Sequence, residues 1–270
     1  MRGAPLPGEQ LIILAIVQGL TEFLPVSSSG HLVLVAEITG TDQGVAIDVA
    51  VHVGSLLAVM AYFYRDIGVL LRGFADVFRG RASEARRIFL LLVLASVPLV
   101  VAGFALTTSG AIDAMRATSV IAWMTIIFAI VLWFADRYGA QRLVFRDIGI
   151  VDAVLVGLAQ CLALIPGVSR SGITMSASRA LGFRRTEAAR FALLLSIPAI
   201  LASAGGIALD LEGNASQFFS QDALIAGGLA AVAAFISISF MMMLLRRVGM
   251  TPFVIYRLFL GAVLLWIAYS

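Results

Sequence analysis

The sequence predicts an all-α polytopic membrane protein built as an inverted repeat. Each half is one re-entrant helix hairpin plus three transmembrane helices. Three observations predict this. First, the apolar runs are long and do not alternate. Of the 270 residues 61% are hydrophobic and 13% charged, against about 45–50% and about 25% in soluble domains, and mean hydropathy is +1.02. Second, two apolar regions are interrupted by polar breaks that overlay one another. Third, the arginines gather in alternate loops.

Six segments, near 45–65, 86–107, 118–136, 187–210, 222–245 and 252–269, are apolar throughout, and each approaches the roughly 20 residues that cross a hydrocarbon core. Residues 9–38 and 148–182 are different. They are cut by "FLPVSSSGH" and "LIPGVSRSG". Their halves are too short to span alone, since 31–38 as a helix is about 12 Å long. Non-helical backbone at membrane depth is tolerated where protein buries it or where it lines a watery cavity. Both regions are therefore expected to be helix–loop–helix hairpins that dip in and return.

The hairpins are copies. A shift of 142 residues places Gln18 on Gln160, Leu20 on Leu162, Val26 on Val168, Ser27 on Ser169, Ser29 on Ser171, Gly30 on Gly172 and Gly40 on Gly182. Three crossings per half is an odd number, so the second half enters with opposite topology, as in many transporters. The whole of 1–270 is then a single membrane domain with repeat halves 8–136 and 148–269.

Loop charge supports the same layout. Arg65, Arg72, Arg79, Arg81, Arg86 and Arg87 follow the first crossing, and Arg137, Arg142 and Arg146 the third. Arg184, Arg185 and Arg190 precede the fourth, and Arg246 and Arg247 follow the fifth. All fall on one face. The other face carries Arg2, Arg116 and the acidic stretch of Asp210, Glu212 and Asp222. The positive-inside rule puts the basic face in the cytoplasm and both termini outside.

Composition excludes several classes. The net charge of +3 sits in loops between apolar segments, so no nucleic-acid partner is expected. Cys161 is the single cysteine, which rules out an internal disulfide framework and a cysteine-based zinc site. The opening "MRGAPLPGEQ" lacks a basic n-region, and no cleavable signal peptide is expected.

The polar breaks are the candidate site. A short helix starts after each, near Ser29–Gly30 and Ser171–Gly172. Helix N-termini offer free N–H groups and a positive dipole end, which suits phosphate-type anions. The serines Ser27, Ser29, Ser169 and Ser171 add hydroxyls, and Gly30 and Gly172 allow close backbone approach. Where the copies differ they complement each other: Glu22 faces Leu164, Ser28 faces Arg170, and His31 faces Ile173 in the alignment. An isolated charge in a membrane costs roughly 2.5–3.5 kcal/mol on insertion scales; Glu22, Arg170 and an anion together offset that cost. The arginine fork matches phosphate. Plainer roles stay open. Glu22–Arg170 can be a structural ion pair, the serines can be N-caps, and His31 an interfacial polar residue. His52 reads first as a packing residue or one that stands behind the site, and Arg257 as an ion-pair or structural cation. Gln18, one turn before Glu22, can orient it, hold a metal-bound water or pack helices.

"QGLTEFLPVSSSGHL" and "PGVSRSGIT" together resemble the undecaprenyl-diphosphate phosphatase family associated with bacitracin resistance. The first is similar to its (E/Q)xxxE signature and serine–glycine–histidine loop, the second to its PGxSRSxxT signature. Order, spacing and layout agree along the whole chain. Gln18 stands where many members carry Glu. The resemblance implies hydrolysis of the terminal phosphate of undecaprenyl diphosphate, the carrier lipid of peptidoglycan and cell-wall synthesis. It implies a divalent cation, Mg²⁺ or Ca²⁺, a multi-pass place in the bacterial inner membrane, and a site reached from the periplasm. Partners are then the polyprenyl diphosphate substrate and membrane lipid, with a homodimer left open. On this reading Arg170, the helix ends and the cation neutralise the phosphoryl group, with Ser27, Ser29, Gly30, Ser169, Ser171, Gly172 and Thr174 around the substrate. Ser28 is the candidate nucleophile with Ser27 second, Glu22 a metal ligand or general base with Gln18 beside it, and His31 an acid–base or orienting group. Direct attack by water stays open. The competing class is an inverted-repeat transporter or flippase of an anionic lipid or phosphate compound, since the same architecture serves carriers.

Overall fold

The computed structural model describes residues 8–39, 45–109, 115–210 and 220–270. Arg2, Gly40 and Glu212, used above, lie outside them. The described part is helical throughout, apart from turns and one isolated bridge between Leu143 and Phe183.

The first hairpin is α1 (Gly8–Thr21) and α2 (Ser28–Thr39). Helix α1 stops where Pro25, which has no N–H to donate, enters the break. The chain then turns over at Ser27, whose φ is 74°. Next come α3 (Val45–Tyr62), α4 (Tyr64–Phe78), α5 (Glu84–Ser109) and α6 (Thr118–Tyr138). The second hairpin is α7 (Ile150–Gln160), a 3₁₀ turn over Cys161–Leu164, and α8 (Arg170–Ala180). Its break holds Pro166 and Gly167, and its turning residue, Ser169, has φ 71°. Helices α9 (Arg185–Asp210), α10 (Gln221–Arg247) and α11 (Thr251–Tyr269) complete the chain.

Five of these helices, α5, α6, α9, α10 and α11, are long and apolar enough to cross a membrane, and a sixth span is counted if α3 and α4 are taken as one bent pair. The bend is a difference from expectation. A loop was expected beyond residue 65; instead the helix breaks at Phe63 and α4 sets off at 93° to α3. Its sequence explains this. Leu71, Phe74 and Phe78 form an exposed apolar stripe, Gly73 is buried, and exposed Arg65, Arg72 and Arg79 recur every seven residues along another face. An apolar stripe beside a basic face is the pattern of an interfacial helix.

The two broken helical regions pack across the molecule. Helix α1 lies on α10, and α7 lies on α5; α3 also packs on α10, α6 on α11, and α3 on α9. Small residues permit the two hairpin contacts. A Cβ on Gly19 would sit 2.5 Å from the Ala230 carbonyl oxygen, and one on Gly157 2.5 Å from that of Ala95. Close backbone approach of this kind is the usual membrane helix interface. Ser237 of α10 reinforces the first with a 2.6 Å hydrogen bond to the Leu20 carbonyl. Phe23 and Val26 beside the first break, and Met175 of α8, belong to the main apolar core. The hairpin tips are thus inside the protein, where irregular backbone is tolerated.

On the arginine-rich side, loop charge is partly buried. Asp136 at the end of α6 accepts from Arg179 at 3.1 Å and from Arg185 at 2.7 Å. Its other oxygen accepts from the Met250 amide at 3.2 Å. Arg179 also donates to the carbonyls of Asp136, Gly139 and Phe183. Arg185 was expected to be a loop cation only; here it helps tie α6, α8, α9 and the start of α11.

Candidate active site

Gln18 and Glu22 are one turn apart at the end of α1, so they share a face. Arg170 is the first residue of α8. Its Nη2 donates to Glu22 Oε1 at 2.7 Å, joining opposite hairpins. Gln18 Nε2 donates to Glu22 Oε2 at 2.7 Å. The same nitrogen lies 3.1 Å from His52 Nε2 on α3, and His52 Nδ1 lies 2.7 Å from the Asp48 carbonyl oxygen. The Glu22 side chain is only 8% exposed and that of Arg170 19%. A buried carboxylate holding both a guanidinium and an amide is well compensated.

The two breaks mirror each other in detail. Ser27 Oγ is 3.0 Å from Ser29 Oγ, and Ser169 Oγ is 3.1 Å from Ser171 Oγ. Positive φ is uncommon for a residue with a Cβ and is costly away from glycine, yet it occurs at the two aligned serines and at no other non-glycine residue described. The loops are also stitched together. The Gly167 amide donates to Ser29 Oγ at 3.0 Å, and Ser171 Oγ donates to the Leu24 carbonyl at 2.9 Å. Ser28 and Arg170, aligned with each other in the repeat, each open their helix and each adjoin one of these stitches. The Ser28 hydroxyl has no hydrogen bond among the described residues and is half-buried.

Other expected residues have structural partners. Ser169 Oγ caps α8 by accepting from the Gly172 amide at 3.2 Å. Thr174 is fully buried, and its hydroxyl bonds back to the Arg170 carbonyl at 2.7 Å. A Cβ on Gly172 would meet Arg257 Nη1 at 2.8 Å, and one on Gly30 would meet Leu264 at 3.2 Å. The room these glycines leave is filled by α11. His31 is pinned at both nitrogens: Nδ1 lies 2.8 Å from the Ser27 carbonyl oxygen and Nε2 2.6 Å from the Tyr256 hydroxyl. The two rings stack at 5.5 Å.

Sequence reasoning missed Tyr256 and gave His52 and Arg257 minor parts. Arg257 is fully buried and meets carbonyl oxygens only: Thr125 at 3.1 Å, Gly167 at 3.0 Å, Val168 at 3.0 Å and Pro25 at 3.5 Å. It thereby grips both loops. An ionisable residue inside a membrane helix was the available signal, and so was the lone histidine in the apolar run of α3.

Among the described residues no three His, Cys, Asp or Glu side chains cluster as a metal cage. One feature fits a cation nonetheless. Gln18 is 1% exposed, and its Oε1 is buried with no hydrogen-bond partner. That amide oxygen and the Glu22 carboxylate are hard oxygen donors, enough for an ion that completes its shell with phosphate oxygens and water.

Comparison with known proteins agrees with this picture. Residues 11–263 match the family described as bacitracin resistance protein BacA. A relative named undecaprenyl-diphosphatase from Ruegeria pomeroyi is 48% identical over 262 residues, covering 96% of this chain and 98% of the relative. One from Roseobacter denitrificans is 47% identical over 262 residues with the same coverage. One from Teredinibacter turnerae is 48% identical over 263 residues, again across 96% of this chain and 98% of its own length. A match along almost the whole chain, with near-half identity to relatives of the same extent, means that this protein belongs to the bacitracin resistance protein BacA family.

Proposed function

We propose that this multi-pass membrane protein is a hydrolase that converts undecaprenyl diphosphate to undecaprenyl phosphate and inorganic phosphate, returning the carrier lipid to cell-wall synthesis. The observation that carries the proposal is the 2.7 Å pairing of Glu22 and Arg170 across two serine-lined helix starts, in a chain whose full-length relatives are named undecaprenyl-diphosphatase.

The diphosphate lies between the N-terminal ends of α2 and α8, where free N–H groups and the Arg170 fork face phosphate oxygens. Phosphoryl transfer needs mainly such fixed positive groups. Ser28 Oγ attacks the terminal phosphorus, the bridging P–O bond breaks, and undecaprenyl phosphate leaves. The hydroxyl proton passes through water to the departing phosphate, while His31, held by the Ser27 carbonyl and the Tyr256 hydroxyl, orients the start of α2. Water then attacks the phosphoserine, releasing inorganic phosphate and restoring Ser28. Ser27, Ser29, Ser169 and Ser171 keep the loops shaped around the substrate, and Gly30, Gly172 and Thr174 seat the helix starts on α11 and on α8 itself. Glu22 and Gln18 would hold a divalent cation, Mg²⁺ or Ca²⁺, which would supply further positive charge to the phosphoryl group.

The inverted repeat belongs to the same proposal: one membrane domain, halves 8–136 and 148–269, with the first hairpin entering from the periplasm and the second from the cytoplasm. The paired positive-φ serines and the exchange of packing partners, α1 on α10 and α7 on α5, support it. The site opens to the periplasm of the inner membrane. Purified protein in detergent, given undecaprenyl diphosphate, is expected to release phosphate and to stop with EDTA. A protein that releases none when Mg²⁺ or Ca²⁺ is supplied is no phosphatase, and a carrier becomes the better reading.

A further inference from the structure

The polar row through Glu22 has a direction that its geometry sets. Glu22 is held by Arg170 at 2.7 Å, so it is a carboxylate and can only accept. The Gln18 atom 2.7 Å from its other oxygen must therefore be the amide nitrogen. That nitrogen has only hydrogens to offer, so His52 Nε2, 3.1 Å away, must be the bare, accepting ring atom. The ring proton is then on Nδ1, where the Asp48 carbonyl oxygen waits at 2.7 Å. Every bond in the row follows from the first. One atom is left over: Gln18 Oε1, buried and without a partner among the described residues.

The second hairpin provides a contrast within the same molecule. Gln160 aligns with Gln18 and is fully buried, but Leu164 stands in place of Glu22 and Leu194 in place of His52. There neither amide atom has a partner. A glutamine at this depth is not oriented by its own helix. It is oriented by what faces it.

We propose that His52 is a positioning residue of the active site: by accepting from Gln18 Nε2 it locks the amide, keeping the nitrogen on Glu22 and Oε1 free as an oxygen donor for the divalent cation. This rests on reading the Glu22 cluster as the active site. Glu22 selects which amide atom faces it, and His52 accepts the second N–H hydrogen; without that second acceptor the amide loses one of its two anchors and Oε1 is held less firmly. His52 does not touch the cation in this scheme. It acts through Gln18, as groups behind metal ligands do elsewhere, where their loss costs about 10- to 100-fold in metal affinity or activity.

Two measurements test it. The first needs no turnover. The chain has two histidines, so ¹⁵N-imidazole labelling gives two ring spectra, and His52→Gln removes one and assigns it. The expected result for cation-free protein is a His52 ring protonated at Nδ1 and bare at Nε2; a proton on Nε2 overturns the proposal. The second is titration with Mg²⁺ or Ca²⁺, followed both by thermal stability and by phosphate release. His52→Leu should weaken the apparent cation affinity about 10- to 100-fold with KM for the lipid unchanged. His52→Gln should restore it, because a glutamine oxygen can accept where Nε2 does. Equal loss in both variants, or none in His52→Leu, overturns the positioning role. Wild-type protein that binds the cation yet releases no phosphate would instead sink the functional reading and leave the lock standing.

Discussion

Arg170 separates charge from shape. Lysine keeps the charge but loses the planar fork, so Arg170→Lys should cut phosphate release about 100-fold or more while membrane insertion stays normal; near-full activity would mean that the guanidinium does not clamp phosphate. Ser28 and Ser27 separate attack from capping. Ser28→Ala should abolish hydrolysis with diphosphate binding intact, whereas Ser27→Ala, which loses only the contact with the Ser29 hydroxyl, should cost less; residual turnover in Ser28→Ala would point to direct attack by water. Arg257 tests architecture. Replacing it by Met leaves the Pro25 and Val168 carbonyls without this donor, at about 1–3 kcal/mol each, so this variant should melt well below wild type in detergent, and an unchanged melting temperature would mean that the loops are held by something else. At this scale legibility depended on complementarity. Glu22 and Arg170 could be paired from the sequence because each is costly in a membrane alone and each fills the gap in the other's copy. Asp136 with Arg179 and Arg185 could not, since their meeting requires the ends of α6 and α8 and the start of α9 to converge, and arginines near loops look solvated.

The two hairpins were readable as elements because Pro25 and Pro166 interrupt apolar runs at aligned places. Their turning residues make a test of backbone geometry. Ser169 combines φ 71° with a cap to the Gly172 amide. Ser169→Ala loses the cap and keeps the unfavourable φ; Ser169→Gly loses the cap but removes the roughly 1–3 kcal/mol held in the backbone. The glycine variant should therefore melt above the alanine variant, and the same order should hold at Ser27. The opposite order at both sites would contradict the positive φ. Helix α4 was not readable. Its apolar residues share the turns with Arg65, Arg72 and Arg79, so hydropathy averages to a loop, and only the separation of three faces around the helix marks it as an amphipathic element.

For the whole molecule the decisive quantity is orientation. With Cys161 replaced, a cysteine at Arg81, in the exposed turn after α4, should react with impermeant reagents only from the cytoplasmic side, and a reporter after Ser270 should behave as periplasmic. Reaction of the Arg81 site from the periplasm would dismantle the inverted repeat. Six apolar stretches and the arginine count were enough to propose this layout, because both follow from transfer energies rather than from contacts; which helix touches which did not follow, since lipid-facing and protein-facing leucines look alike. Arg257 adds a consequence for how such a chain is made. The group that grips both loops arrives on α11, the last helix, whereas the loops themselves emerge from the ribosome far earlier. Until α11 enters the membrane, the carbonyls of Pro25 and Val168 lack the Arg257 donor, and that of Gly167 has only the Thr125 hydroxyl. The two loops are therefore expected to be clamped together only when synthesis is all but finished.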